Sequence, residues 1–357
     1  MTFLSIRHCA LISLLMLASC STTKPQHTPA APAEGKVNPT LDSGQTITSA
    51  QQFNPLMHRA AMNLSPSFTF RYSGSIEALI RNSFWNDYTD SYKATKHNNK
   101  VTLTLELTEG TRLLAAHRFP NLESQLSARE KKALRLARDI VRRCEVKGSD
   151  FDTIVKLHDY LTHEYSTDLS STRDVCTLLL EGKGNCWAYS QAMHLLLQML
   201  DIPSHIVTGT ANGSNHAWNI VRLNNGEWYH IDTTWDDPIV RNHDGGNVES
   251  HRFFLLCDEH MGIDHSWNHA AFPRSGHNHA SYFKRRNIYF SSYDDFWKQA
   301  IRAYWQGDME FEGWLSHFDE AAFRESMQQV IQSQKGPRGC SWIPLSRSEG
   351  AVRVLFE

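Results

Sequence analysis

The sequence predicts an α+β protein in which a helix carrying a cysteine packs on an antiparallel sheet carrying a histidine and an aspartate, with a small α+β region on either side. Three patterns predict this. Residues 127–200 hold three segments with apolar residues at helical spacing, bounded by capping residues or by proline. Residues 204–232 then hold the strand-like stretches SHIVTG, HAWNIVRL and EWYHID, the last two separated by Asn225-Gly226. The regions before and after mix short strands with helical runs.

The chain of 357 residues opens on a targeting pattern. Arg7 precedes the apolar run CALISLLMLA, which is too short for a permanent bilayer span. Leu17-Ala18-Ser19-Cys20 ends the run and resembles the lipobox of bacterial lipoproteins, an ordinary signal peptide being the plainer reading. The resemblance implies removal of residues 1–19 with Cys9, lipidation of Cys20 and anchoring in the cell envelope. Ser21, in place of an aspartate, fits the outer membrane. Residues 20–50 are rich in Pro, Ala, Thr, Ser and Gly and carry few large apolar residues, so a flexible tether is expected.

An N-terminal α+β region follows over 51–125. SFTFRY alternates as a strand, SIEALIRNSFW is helical with Ser75 as its cap, and DSYKATKH and KVTLTLEL form strands around Asn98-Asn99. The central region, 126–280, begins with a capping box, Ser127 with Glu130. FDTIVKLHDYLTHEY places Ile154, Leu157, His158 and Leu161 on one helical face, and a third helix runs from near Cys186 until Pro203 approaches. The C-terminal region, 281–357, reads as strand (MEFEGWL), helix (DEAAFRESMQQVIQ) and two strands (CSWIPLS, AVRVLFE). The two flanks thus read in the same order, which suggests a tandem of small modules around the centre.

Net charge is −2, with no basic stripe, so no nucleic-acid partner is expected. Cys144, Cys176, Cys257 and Cys340 can form disulfides in an oxidising compartment, but spacing does not give a pairing. No Cys-x-x-Cys is present. His260, His265, His269, His277 and His279 cluster in sequence without a metal-binding spacing and read as surface histidines in a loop-like run. No cofactor and no metal are expected.

The chemistry gathers at Cys186. Gly184 and Asn185 break the chain, Asn185 caps the helix, and Cys186 lies in the first turn, where the positive end of the helix dipole favours a thiolate. Amides of that turn are also placed to receive an oxyanion. A thiolate nucleophile needs a histidine, and the histidine an orienting acceptor. His216 opens one strand and Asp232 ends the next. A two-residue loop at Asn225-Gly226 would put Asp232 on the wrong face. A three-residue loop, 224–226, sets it opposite Trp218 and diagonal to His216, within side-chain reach. A triad therefore requires that register, with Gly226 left-handed and a local bulge.

Gly184-Asn185-Cys186, His216-Ala217-Trp218-Asn219 and Trp228-Tyr229-His230-Ile231-Asp232-Thr233-Thr234-Trp235-Asp236-Asp237-Pro238 together resemble the transglutaminase-like superfamily of papain-like cysteine enzymes, its bacterial branch in particular. Further similarity runs from EGTRLLAAHR to HSW, covering about residues 105–270. The resemblance implies a papain-like α+β core with Cys186 as nucleophile, His216 as base and acid, and Asp232 orienting the imidazole. Where the branch usually has a small or amide residue and then a glycine after the cysteine, this chain has Trp187 and Ala188. Trp187 thus stands beside the sulfur, where it narrows the cleft, stacks on substrate or blocks it. Asn185 and Tyr165 are candidates for the oxyanion site, and Trp218, Trp228 and Trp235 for core or cleft wall. Asp236 and Asp237 read as turn caps before Pro238.

The expected function is an envelope-tethered cysteine hydrolase that cleaves an amide bond in a peptide or protein substrate. Transfer of the same acyl-enzyme to an amine, giving cross-links, is one alternative. A binding or scaffold lipoprotein with a silent triad is the other.

Overall fold

The computed structural model describes residues 41–356 apart from 169, 171–172, 238–249, 277–280, 334–335 and 345–349. The targeting segment, Cys20 and most of the expected tether lie outside the described residues, as do His277 and His279. Among the described residues no helix is long and apolar enough to cross a membrane.

The central region is built around one helix, Cys186–Met199, in which every residue but Gln198 is buried. A helix apolar on nearly all sides can be stable in water only when surrounded. Helices Glu109–Arg118, Ala128–Cys144, Asp150–Glu164 and Val175–Glu181 pack around it. Strands Ser204–Ala211 and Ser214–Arg222 cover its remaining side. Ser127 and Glu130 form the expected reciprocal capping box, and Ser149 caps the next helix by accepting from Asp152 N.

Those two strands belong to an antiparallel sheet. Its order is Phe254–Leu256, Trp228–Ile231, Ser214–Arg222, Ser204–Ala211 and His265–Trp267. With the helices on one face, this is the α+β, papain-like arrangement expected. Leu113, Leu114, Leu134, Ile154, Leu157, Leu195, Ile231 and Phe254 share its main core.

Each flank is a four-stranded sheet with helices. In the first, Leu41–Thr46 runs parallel to Ser67–Arg71, which pairs antiparallel with Lys100–Leu107, and that with Thr89–His97. In the last, Tyr289–Phe290 runs parallel to Glu310–Leu315, then antiparallel to Gly350–Phe356, and that to Cys340–Pro344. Strand order and direction are the same in both. The order of elements, β-α-β-α-β-β, is also shared once the short helical turn at Trp85–Asp87 is set aside. This is fuller than the strand-helix-strand-strand pattern read from sequence.

The sequence expectations need three corrections here. Residues 41–50, placed in the tether, are structured. Leu41–Thr46 is a strand, Ile47 is buried, and Ser49 caps helix Ala50–Met62. Ile47 anchors a stretch that is mostly polar. Residues 109–125, placed in the N-terminal region, instead give Leu113, Leu114 and Leu122 to the central core. Helices Ala50–Met62 and Tyr293–Gln306 were not expected at all. Pro55 interrupts the pattern of the first, and the aromatic residues of the second, Phe296 and Trp297, carry strand propensity.

Candidate active site

The hairpin that carries His216 and Asp232 takes the register a triad requires. Asn219 pairs with Ile231 and Ile220 with His230. One step further sets Asp232 opposite Trp218, diagonal to His216. The loop is residues 224–226. Gly226 has φ +85°, its N–H donates to Leu223 O at 2.9 Å, and Leu223 N–H donates to Glu227 O at 3.0 Å. A left-handed glycine closing such a turn produces the register in which one strand gains a residue.

His216 Nε2–H therefore reaches Asp232 Oδ2 at 2.7 Å. Asp232 is wholly buried. Its Oδ1 accepts from the amides of Thr234 and Trp235 at 3.1 and 3.2 Å, so the carboxylate is fixed by its own turn. Burial alone would raise the Asp232 carboxyl; the charge of His216 and the hydrogen bonds from His216 and His265 outweigh it and hold the group well below the usual carboxylate range.

The His216 ring is framed by aromatics. Trp218 stacks on it with ring centroids 6.1 Å apart and planes at 21°, and Trp235 lies at 5.6 Å. Trp218 is itself pinned, its indole N–H donating to His230 Nδ1 at 3.0 Å while His230 Nε2 bonds Asp258 at 3.0 Å. Burial lowers the His230 imidazole, in keeping with a ring that accepts at one nitrogen and donates at the other.

Cys186 is the first residue of its helix and is 3% exposed. It clusters with Trp187, Ile206 and Ala217, the residue next to His216. Helix and strand are joined by Asn219 Nδ2, which donates to Ser190 O at 3.0 Å. Asn185 is the expected cap, and its Oδ1 takes the amides of Trp187 and Ala188 at 3.1 and 3.2 Å. Those two amides are thus committed to the cap. Trp187 is buried, with the Arg173 guanidinium 4.8 Å from its ring centroid.

Other expectations change. Tyr165 lies in the main core, edge-on to Tyr160 with centroids 5.9 Å apart, as a packing residue rather than a cleft residue. Asp236 and Asp237 are buried anchors rather than turn caps. Asp236 bonds His158 at 3.2 Å, Ser250 at 2.7 Å and the Phe253 amide at 2.9 Å. Asp237 accepts from the Tyr189 hydroxyl at 2.6 Å. Trp228 stacks with His205, centroids 5.3 Å apart. His265 is not a surface histidine in a loop. It is buried in a strand and bonds Asp232 Oδ2 at 3.1 Å.

Among the described residues, three groups bring possible metal donors within 4.8 Å of one another: His158, Asp159 and His251; His216, Asp232 and His265; Cys257, Glu259 and His260. In the first, both nitrogens of both histidines already face carboxylates at 2.8–3.2 Å. In the second, Asp232 Oδ2 bridges the two imidazoles. Both have the geometry of hydrogen-bonded chains, and a metal there would displace the bonded protons. Among the described residues, Cys144, Cys176 and Cys257 are free thiols.

The fold and the site together define the class of the central region: an α+β core of papain-like type with cysteine, histidine and aspartate at its helix–sheet junction. Residues 135–233 match the family model of the transglutaminase-like superfamily. No curated protein sequence is a significant match. Several solved structures are similar. One, described as a candidate cysteine protease from Cytophaga hutchinsonii, has 13% identity and a TM-score of 0.27, covering 40% of this chain and 61% of its own length. A TGase structure has 13% identity and a TM-score of 0.30, covering 71% of this chain and 75% of that one. The periplasmic domain of TgpA from Pseudomonas aeruginosa, bound to ethylmercury, has 18% identity and a TM-score of 0.25, covering 38% and 55%.

Proposed function

We propose that the protein is a cysteine hydrolase acting on an amide bond of a peptide or protein through an acyl-enzyme, with Cys186, His216 and Asp232 as its triad. The observation that carries this reading is the buried 2.7 Å bond between His216 Nε2 and Asp232 Oδ2, on the strand beside the start of the Cys186 helix. With Nε2 held by Asp232, Nδ1 is the nitrogen that serves the thiol. Cys186 gives its proton to His216, and the sulfur attacks the carbonyl carbon. The C–N bond breaks, the leaving amine takes the proton from His216, and a thioester remains. His216 then takes a proton from water, the hydroxide attacks, and the C–S bond breaks to release the acid and restore the thiol. The positive end of the helix faces the charge that develops on the carbonyl oxygen.

Transfer to an amine uses the same thioester, with the amine replacing water in the last step. The N-terminal pattern supports tethering of this activity to the envelope through lipid on Cys20. Two measurements test the proposal. The first is the pH dependence of Cys186 alkylation by iodoacetamide, followed by peptide mapping. Rapid labelling well below the ordinary thiol pKa of about 8.5, slowed in His216→Ala, is expected. Labelling indifferent to that mutation would leave the scaffold reading in its place. The second is product analysis with and without a primary amine, in which an amide product would turn the assignment to acyl transfer.

A further inference from the structure

Asp232 is held from two sides. Its Oδ2 accepts from His216 at 2.7 Å and from His265 Nε2 at 3.1 Å. The other nitrogen of His265 lies 2.6 Å from Asp264 Oδ1, and Arg252 bonds Asp264 Oδ2 at 2.9 Å. The His265 side chain has no exposed surface. Its strand pairs with Gly209–Ala211, and a β-carbon on Gly209 would collide with the Ser266 carbonyl, so that glycine is what lets the strand close in. None of this belongs to a three-residue triad.

The protonation of His265 follows from its partners. A carboxylate only accepts, so each nitrogen facing one must carry a proton. A neutral ring would turn a bare lone pair on Asp232 or Asp264. Burial opposes the charge on His265, but the bonds to the two carboxylates prevail and raise its imidazole. The ionisable groups around it are Asp232 and Asp264, with His216, His230 and Arg252 beyond.

We propose that His265, backed by Asp264, is a positioning residue that locks Asp232 onto His216 Nε2 and so aims His216 at Cys186. This role rests on the triad reading above. Two effects separate from it. One is alignment, which needs a donor at the His265 Nε2 position. The other is charge: a cation on the far side of Asp232 shares its carboxylate. Without that cation the whole carboxylate charge serves the Cys186–His216 pair, and the pH profile of labelling shifts.

The test is iodoacetamide labelling of Cys186 across pH in the full chain, with a thermal melt for each protein. His265→Ala is expected to slow labelling at neutral pH by roughly ten- to a hundredfold, as loss of an outer partner of a functional histidine does elsewhere. His265→Gln, which keeps a neutral donor, is expected to recover most of that rate. In both, and in Asp264→Asn, the pH profile of labelling shifts. Should His265→Ala fail to fold, the Gln and Asn variants carry the test. Wild-type rate and wild-type pH profile in folded His265→Gln and Asp264→Asn would overturn the role while leaving the triad intact. Wild-type labelling unaffected by His216→Ala would overturn both.

Discussion

Asn219 Nδ2 donates to the Ser190 carbonyl at 3.0 Å, and both residues are buried. This bond ties the strand of His216 to the helix of Cys186. Asn219→Ala should cost about 1–3 kcal/mol, the price of a buried polar partner removed. The urea midpoint reads it. Because the lost bond spans the nucleophile's helix and the base's strand, Cys186 labelling should slow as well.

The turn at 224–226 sets which face Asp232 occupies. Deleting Asn225 shortens it by one residue and shifts the pairing, which turns Asp232 away from His216. Labelling of Cys186 should then no longer depend on His216. Gly226→Ala keeps the loop length and should cost only about 1 kcal/mol for its left-handed conformation. Comparing the two variants separates register from turn strain.

Asp232→Asn takes the charge from the imidazole and offers it a choice of tautomer. Labelling and turnover should fall by about 10³–10⁴, the scale seen when the aspartate of a serine triad is so changed. The same variant alters acid stability. Asp232 titrates lower folded than unfolded, so its contribution is present above the ordinary carboxylate range and is lost as pH falls below it. Melting temperature against pH should decline less steeply on the acid side in the variant.

His251 predicts the opposite limb. Burial disfavours its charge, but the Glu312 carboxylate and the bonds to Asp159 and Glu312 raise it from 6.5 to about 10. A raised histidine stabilises fully below its unfolded value and loses that contribution as pH rises through its folded one. Melting temperature should fall between pH 6.5 and about 10. His251→Gln should start lower and vary less over that window.

Why some of this was legible in sequence and some was not follows from range. Cys186, His216 and Asp232 sit at a capped helix start and on one hairpin, so local chemistry and one loop length were enough to bring the last two together. Ser75, Ser127 and Asn185 act as local caps. His265 depends on pairing with Gly209–Ala211, far back in the chain, through a strand of three residues. So short a strand has no periodicity to read. Asp236 is similar: its partner His158 lies on a helix 78 residues earlier, and no spacing rule links them. Ile47 shows the same limit, since an isolated apolar residue in a mostly polar stretch says nothing until its pocket is known.

The bonds from His251 to Asp159 and Glu312, at 2.8 and 2.9 Å, bear on how the chain can be divided. Glu312 belongs to the last sheet, Asp159 to the central helices, and Ala61, Met62 and Leu64 of the first flank enter the central core from the other end. A fragment trimmed to the family-matching span 135–233 would lose His265, the wall formed by Leu113 and Leu114, and both of those anchors. It would expose apolar surface on several sides and leave Asp232 with one imidazole instead of two. The smallest piece expected to behave as the native site does is therefore the whole span from the strand at Leu41 to the strand ending at Phe356.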